Sequence, residues 1–348
     1  MTAVQATAVV LWIGVTLYAV FGGADFGAGI WDLLAGGTAR GRRPRAMISD
    51  AIAPVWEANH TWLIFDLVIL WTAFPAAFAA IMSTLFVPLT LAGLGVVLRG
   101  AAFAFRPVAP GPVSRRLAGA TFAFGSLVTP FFLGAAAGAI ASGRVPVGNA
   151  VGDPFTSWLN PTSLLIGGLA IVACAYLAAV FLVVDARHHG ESELEAYFLR
   201  RATAAAIGAG VLAVAGIGVL HADAPELAAG LTQTGWPLVA GSGLCGIAAL
   251  ILLRRGAPSG TRPLAVGAVV AIVWGWGAAQ YPDILPGSLS LADAAAPAGA
   301  LDALLVIFVV AALVIGPSLG ILYVLDQRNR LQGHGLGTDI PGERGDQG

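Results

Sequence analysis

Residues 54–62 read PVWEANHTW and lead into the apolar run LIFDLVILW, residues 63–71. Together they carry Glu57, His60 and Asp66, with Trp56 and Trp62 alongside. Carboxylates and imidazoles withdrawn from bulk water can exchange protons near neutral pH. The other acid deep in an apolar run is Asp25, in FGGADFGAG, while Asp32 and Asp50 lie near the ends of such runs. A charge at mid-membrane costs on the order of 3 kcal/mol, so each deep acid should face protein or water and marks a functional position by default. Plainer roles stand beside this one. Asp32 and Asp50 could be interfacial, Asp66 could bond helix to helix, His60 could be a hydrogen-bond partner, and Trp56, Trp62 and Trp71 could be headgroup anchors.

At 100° per residue, Glu57, His60 and Thr61 share one helix face, and Asn59, Trp62 and Asp66 lie nearly opposite. A helix polar on two sides belongs between neighbours. Gly23 and Gly27, four apart, allow another backbone to approach beside Asp25. These residues predict a polar seam where the first two spans meet other helices.

The elements that position them follow from composition. The 348 residues are 57% hydrophobic and 11% charged, with mean hydropathy +0.83. Soluble domains carry roughly 25% charged residues, so this is a membrane protein, and its long unbroken apolar runs choose helices over a barrel. At about 20 apolar residues per span, nine spans are expected, at roughly 7–35, 55–74, 76–105, 116–142, 162–185, 197–221, 236–253, 263–280 and 302–325. Pro88, Pro130 and Pro317 fall inside spans and should kink them. The N-terminus lacks a positively charged leader and reads as a retained first span. Residues 1–330 form one polytopic domain, and 331–348 a polar, Gly-rich, disordered tail.

Every basic side chain is arginine. With nine spans, the clusters Arg40/42/43/45, Arg99/106/115/116, Arg187/200/201, Arg254/255/262 and Arg328/330/344 fall on one side, and Arg144 alone on the other. The positive-inside rule then puts the N-terminus outside and the C-terminus in the cytoplasm. A net charge of −1 gives no electrostatic case for nucleic acid. Cys174 and Cys245 show no disulfide or metal spacing. Only His60 and Met82, with the two lone cysteines, are plausible haem ligands at depth. No nucleotide-binding or metalloprotease motif appears, so no catalytic site and no metal site is expected in this chain. From the residues alone, the chain is a stand-alone ion-coupled transporter using Asp25, Glu57 and Asp66, or a partner subunit.

FGGADFGAGIWDLL, ISDAIAPVWEANHTWLI, FPAAFAAIMSTLFVPLTLAGLGVVLRGAAFAFR and YPDILPGSLSLADAAAP resemble subunit II of the cytochrome bd-type quinol oxidases. EANHTW and LRGAAFAFR are similar to its cyanide-insensitive-like branch. The resemblance implies an all-α fold of two four-helix bundles plus a peripheral helix in a bacterial plasma membrane. It implies a partner subunit I carrying haem b and haem d-type groups, with none bound by this chain, and electrogenic reduction of dioxygen to water by quinol. It implies that subunit II helps conduct protons. By motif, Glu57 stands at the acid proposed for that route, where many members have aspartate followed by glycine. Asp25 and Trp62 match family positions, whereas His60 replaces a glutamine seen in many members.

Overall fold

A computed structural model describes residues 1–37, 40–52, 56–106, 108, 110–257 and 259–327. The side chains of residues 56–58, 112, 315, 319–320 and 322–327 are outside this description, as are the expected tail, 331–348, and Arg328, Arg330 and Arg344.

Among the described residues, the regular elements are helices apart from one hairpin. The first apolar run forms α1 (Ala3–Leu17), a π-helical turn over Tyr18–Gly22, and α2 (Gly23–Leu33). Thr2 and Gln5 close a capping box at its start. An amphipathic α3 (Arg42–Ile52), unforeseen within the first arginine cluster, leads to α4 (Trp56–Ala73). The expected single span 76–105 is two helices, α5 (Pro75–Thr84) and α6 (Phe86–Phe105), broken at Leu85. Pro88 explains the break, since its ring clashes with the carbonyl four residues earlier, that of Thr84. Pro130, by contrast, is accommodated within the continuous α7 (Gly111–Ala141). Next come α8 (Pro161–His188), α9 (Ser192–Asp223), the short α10 (Pro225–Gln233), α11 (Trp236–Arg254) and α12 (Thr261–Gln280). Asn160 caps α8 by accepting from the Ser163 amide, with Pro161 at the first helical position. Strands β1 (Asp283–Leu285) and β2 (Leu289–Ser290) pair antiparallel, followed by α13 (Leu291–Ala294) and α14 (Ala298–Gln327).

Among the described residues, eight helical segments are long and apolar enough to cross a membrane. The Trp56–Ala73 helix, expected as a ninth, is not one of these eight. Helix α8 is the hub: it packs on α2, α7, α9 and α12, and Leu177, Ala179, Val180 and Val183 are fully enclosed. A second apolar core joins α1, α4, α5, α7 and the hairpin. Outward faces are aliphatic, as in the exposed Ile207, Val211, Val214 and Ile217 of α9, which suits lipid contact. Helix α14 lies against α1 and α4 and is otherwise largely uncovered.

The two ends of the bundle differ. At one end arginines meet acids across helices: Arg43 with Glu191 and Glu193, both 2.6 Å, Arg187 with Glu195, 2.7 Å, and Arg262 with Asp185, 2.5 Å. At the other, Arg144 binds Asp223 at 2.7 Å, and the Thr162 hydroxyl donates to the same carboxylate at 2.6 Å. The Ala296 amide there donates to the Ala73 carbonyl at 2.8 Å, tying the hairpin segment to the end of α4.

Candidate functional site: a buried ion pair beside an acid-bearing helix

Asp25 sits on the first turn of α2, just past the π-helical turn. Its carboxylate is gripped by Arg99 of α6: Nη2 donates to Oδ1 at 2.6 Å and Nη1 to Oδ2 at 2.9 Å. Nη2 also donates to the Asp25 carbonyl at 3.1 Å. Both side chains are only 1% exposed. Nε of Arg99 donates to Ser126 Oγ at 2.8 Å, and that hydroxyl donates on to the Phe122 carbonyl at 2.7 Å. The guanidinium lies between the rings of Phe26 and Phe122, 5.1 and 4.8 Å from their centroids. The charge is thus matched by a carboxylate, hydrogen-bonded on several edges and walled by aromatic faces, as burial in low dielectric requires.

Small residues make this approach possible. A Cβ on Gly95 would meet Thr129, one on Gly125 would meet the Gly95 carbonyl, and one on Gly29 would meet Ser126. On the far side of α2, a Cβ on Gly27 would overlap the Cys174 carbonyl, and Gly23 faces Cys174 and Leu177. The backbone approaching beside Asp25 is therefore that of α8. Trp31 reinforces this contact by donating to the Ala175 carbonyl at 2.8 Å.

A second rung lies seven residues further along both helices. Asp32, at the end of α2, receives Arg106 Nη1 at 3.3 Å, with Arg45 Nε at 3.6 Å. Asp25–Arg99 and Asp32–Arg106 share one sequence offset, 74. Seven residues are two helical turns, so acids along α2 and arginines along α6 meet at matching heights, with both helices packed on α7. Asp32 is buried, whereas Asp50 is exposed on α3.

The acid-bearing helix α4 lies against α1, the π-helical turn and α14. The His60 ring is 5.8 Å from Phe26 and 6.2 Å from Tyr18. Both its nitrogens, the Tyr18 hydroxyl and Asp66 Oδ1 are buried without a hydrogen-bond partner among the described residues. Asp66 points at α1, where a Cβ on Gly14 would overlap its Oδ1. Unpartnered polar atoms at this depth are costly unless water or another polar group serves them. Trp62 packs edge-on against Phe65, which touches Phe308 of α14. Asn59 is buried and Thr61 exposed. Glu57 and Trp56 fall on the first turn of α4, but their side chains lie outside the described residues.

The structure therefore brings Asp25, His60 and the π-helical turn together through Phe26 and places Asp66 further along α4. Sequence reasoning missed Arg99, grouping it with Arg106, Arg115 and Arg116 as a surface cluster; it is instead the buried partner of Asp25. The signal was present in the matched seven-residue spacings of Asp25/Asp32 and Arg99/Arg106. Among the described residues, no three His, Cys, Asp or Glu side chains are grouped to hold a metal ion, and both cysteines are free.

A family model described as cytochrome bd terminal oxidase subunit II matches residues 4–326. Cytochrome bd ubiquinol oxidase subunit 2 of Bacillus subtilis is 25% identical over 202 residues, 58% of this chain and 58% of that one. Cytochrome bd-I ubiquinol oxidase subunit 2 of Escherichia coli K12 is 30% identical over 227 residues, 61% of this chain and 56% of that one. The alignments thus span somewhat more than half the length of these curated relatives. The solved bd oxidase from Geobacillus thermodenitrificans superposes with a TM-score of 0.77 at 25% identity, covering 94% of this chain and 100% of the matched chain. With the family match running almost from end to end of the helical region, the chain belongs to the cytochrome bd terminal oxidase subunit II family.

Proposed function

We propose that this chain is the subunit of a quinol:dioxygen oxidoreductase that braces a haem-bearing subunit I and leads protons toward it. The observation that carries this reading is the family match over residues 4–326. In this reading the haems, haem b and haem d-type, belong to the partner and supply the electron transfer to dioxygen. The present chain supplies fixed charge, shape and a proton route.

In this reading the chain spans the membrane nine times, with the Trp56–Ala73 helix added as the ninth to the eight long apolar segments. The first four spans, from α1 to α7, form one four-helix bundle, α8, α9, α11 and α12 a second, and α14 the peripheral helix. The arginine-rich end is cytoplasmic and the N-terminus is outside, in a bacterial plasma membrane. Helix α4 then rises from the cytoplasmic side, so Glu57 receives protons first. His60 and Asp66 continue the route along α4, where the His60 nitrogens and Asp66 Oδ1 have no hydrogen-bond partner among the described residues and ordered water can bridge them. Trp56 and Trp62 flank it. Asp25 borders the route as a counter-charge held by Arg99. That same grip weighs against a stand-alone transporter, because a carboxylate tied at two oxygens is poorly placed to load and release a coupling ion.

The test is to purify the tagged chain from its native membrane and record a reduced-minus-oxidised visible spectrum. Haem bands travelling with a second polytopic chain are expected. A folded chain without haem or partner would overturn the assignment.

A further inference from the structure

At the arginine-rich end, a cavity of about 610 Å³ opens over the second rung of the α2–α6 ladder. Asp32 and Leu33 from α2, Arg42 and Arg45 from α3, Arg106 beyond α6, and Arg115 and Arg116 from α7 line it. Five guanidinium groups thus face a space with one acid among its lining residues. Arg45 and Arg106 are engaged by Asp32. Arg42, Arg115 and Arg116 are exposed and, among the described residues, have no carboxylate partner. Arg43, Arg187 and Arg262 at the same end are each matched by an acid. Two separate elements, α3 and α7, therefore aim three unmatched cations at one concavity.

We propose that this pocket binds a phosphate-bearing anion, presented as the headgroup of an anionic phospholipid. Arginine forks match phosphate oxygens two at a time, and several converging forks suit a phosphodiester better than a lone carboxylate. Position favours the lipid source over free phosphate. The cavity lies at the ends of helices long and apolar enough to cross a membrane, and basic pockets at the ends of spans hold anionic lipid headgroups. Leu33, half exposed within its lining, offers an apolar neighbour to an acyl chain and nothing to a free ion. Asp32 keeps Arg45 and Arg106 oriented as the floor, leaving Arg42, Arg115 and Arg116 to close on the ligand. The site is independent of the oxidase assignment.

The experiment uses the full chain, purified with whatever subunits travel with it and stripped of lipid by detergent exchange. Native mass spectrometry then follows titration with tetraoleoyl cardiolipin, dioleoyl phosphatidylglycerol, dioleoyl phosphatidylcholine and inorganic phosphate. The two anionic lipids should bind, and the Arg42→Gln/Arg115→Gln/Arg116→Gln variant should bind them on the order of tenfold or more weakly. Phosphatidylcholine should show no such difference. These three side chains are exposed, so the fold should tolerate the changes. Arg254→Gln/Arg255→Gln, at the end of α11, should leave binding intact. Displacement of lipid by millimolar inorganic phosphate would assign the same pocket to a soluble phosphate. Equal lipid binding by wild type and the triple variant, or an equal loss in the α11 variant, would overturn the site.

Discussion

Arg99 and Asp25 form a two-pronged ion pair, 2.6 and 2.9 Å, with each side chain 1% exposed, in the middle of a helical membrane domain. The pair joins α2 to α6, and Ser126 extends it to α7. It is the inner rung of a ladder whose outer rung, Asp32–Arg106, opens toward the arginine-rich end. The inner rung is closed by the rings of Phe26 and Phe122, so its electrostatics are little screened by salt.

Breaking the inner rung from one side should therefore be severe. Arg99→Leu or Asp25→Leu alone leaves an uncompensated buried charge, a loss of about 3–5 kcal/mol. The Asp25→Leu/Arg99→Leu double variant should recover much of that loss. Thermal denaturation of the purified protein, with all three variants compared, checks the non-additivity. Equal losses in the double and single variants would contradict the pair's isolation.

Gly27 should tolerate no side chain. A Cβ there overlaps the Cys174 carbonyl of α8, and backbone cannot rotate aside as a side chain can. Gly27→Val should destabilise by about 1–3 kcal/mol or prevent assembly, whereas Gly93→Val, with nothing near its Cβ position, should be mild. Yield and melting temperature in matched preparations separate the two.

Glu57→Gln should slow oxygen consumption about tenfold or more while haem content stays at the wild-type level, because proton relays typically contribute factors of that size. Asp66→Asn should act in the same direction. Glu57→Asp, which keeps the acid and shortens it by one methylene, should retain part of the rate. Steady-state oxygen electrode measurements normalised to haem decide this. Unchanged turnover in both amide variants would leave these acids a structural role only.

Asp153, in the segment between α7 and α8, accepts the amides of Thr156 and Phe155 at 2.7 and 2.9 Å. These bonds hold its carboxyl below the ordinary value of 3.8. A carboxylate with a depressed value stabilises the fold above the unfolded-state value, and that contribution disappears as pH falls through the folded-state value. Protection of the Phe155 and Thr156 amides from hydrogen exchange should accordingly weaken below about pH 4. Asp153→Ala should remove both the protection and its pH dependence.

Much of the architecture was legible in the residues because the membrane imposes it. Apolar runs of about 20 residues must become helices when no water can satisfy the backbone, and eight such helices are present among the described residues. Arginine placement foretold that one end of the bundle would be rich in cations, and the ion pairs of Arg43, Arg106, Arg187 and Arg262 lie there. That Asp25 must face protein or water was readable too, since a charge in an apolar run is costly. Which partner was not readable by inspecting one run at a time. Arg99 lies 74 residues away, near the end of another apolar run, and was counted with Arg106, Arg115 and Arg116 in one arginine cluster. Only the packing of both α2 and α6 on α7, with α6 drawn close to α7 at Gly95 and Gly125, turns it inward. The hairpin after Gln280 likewise depends on how neighbouring elements pack. Local composition determines that a segment enters the membrane; the register between segments, a matter of shape matched over long sequence separation, determines which charges meet inside it.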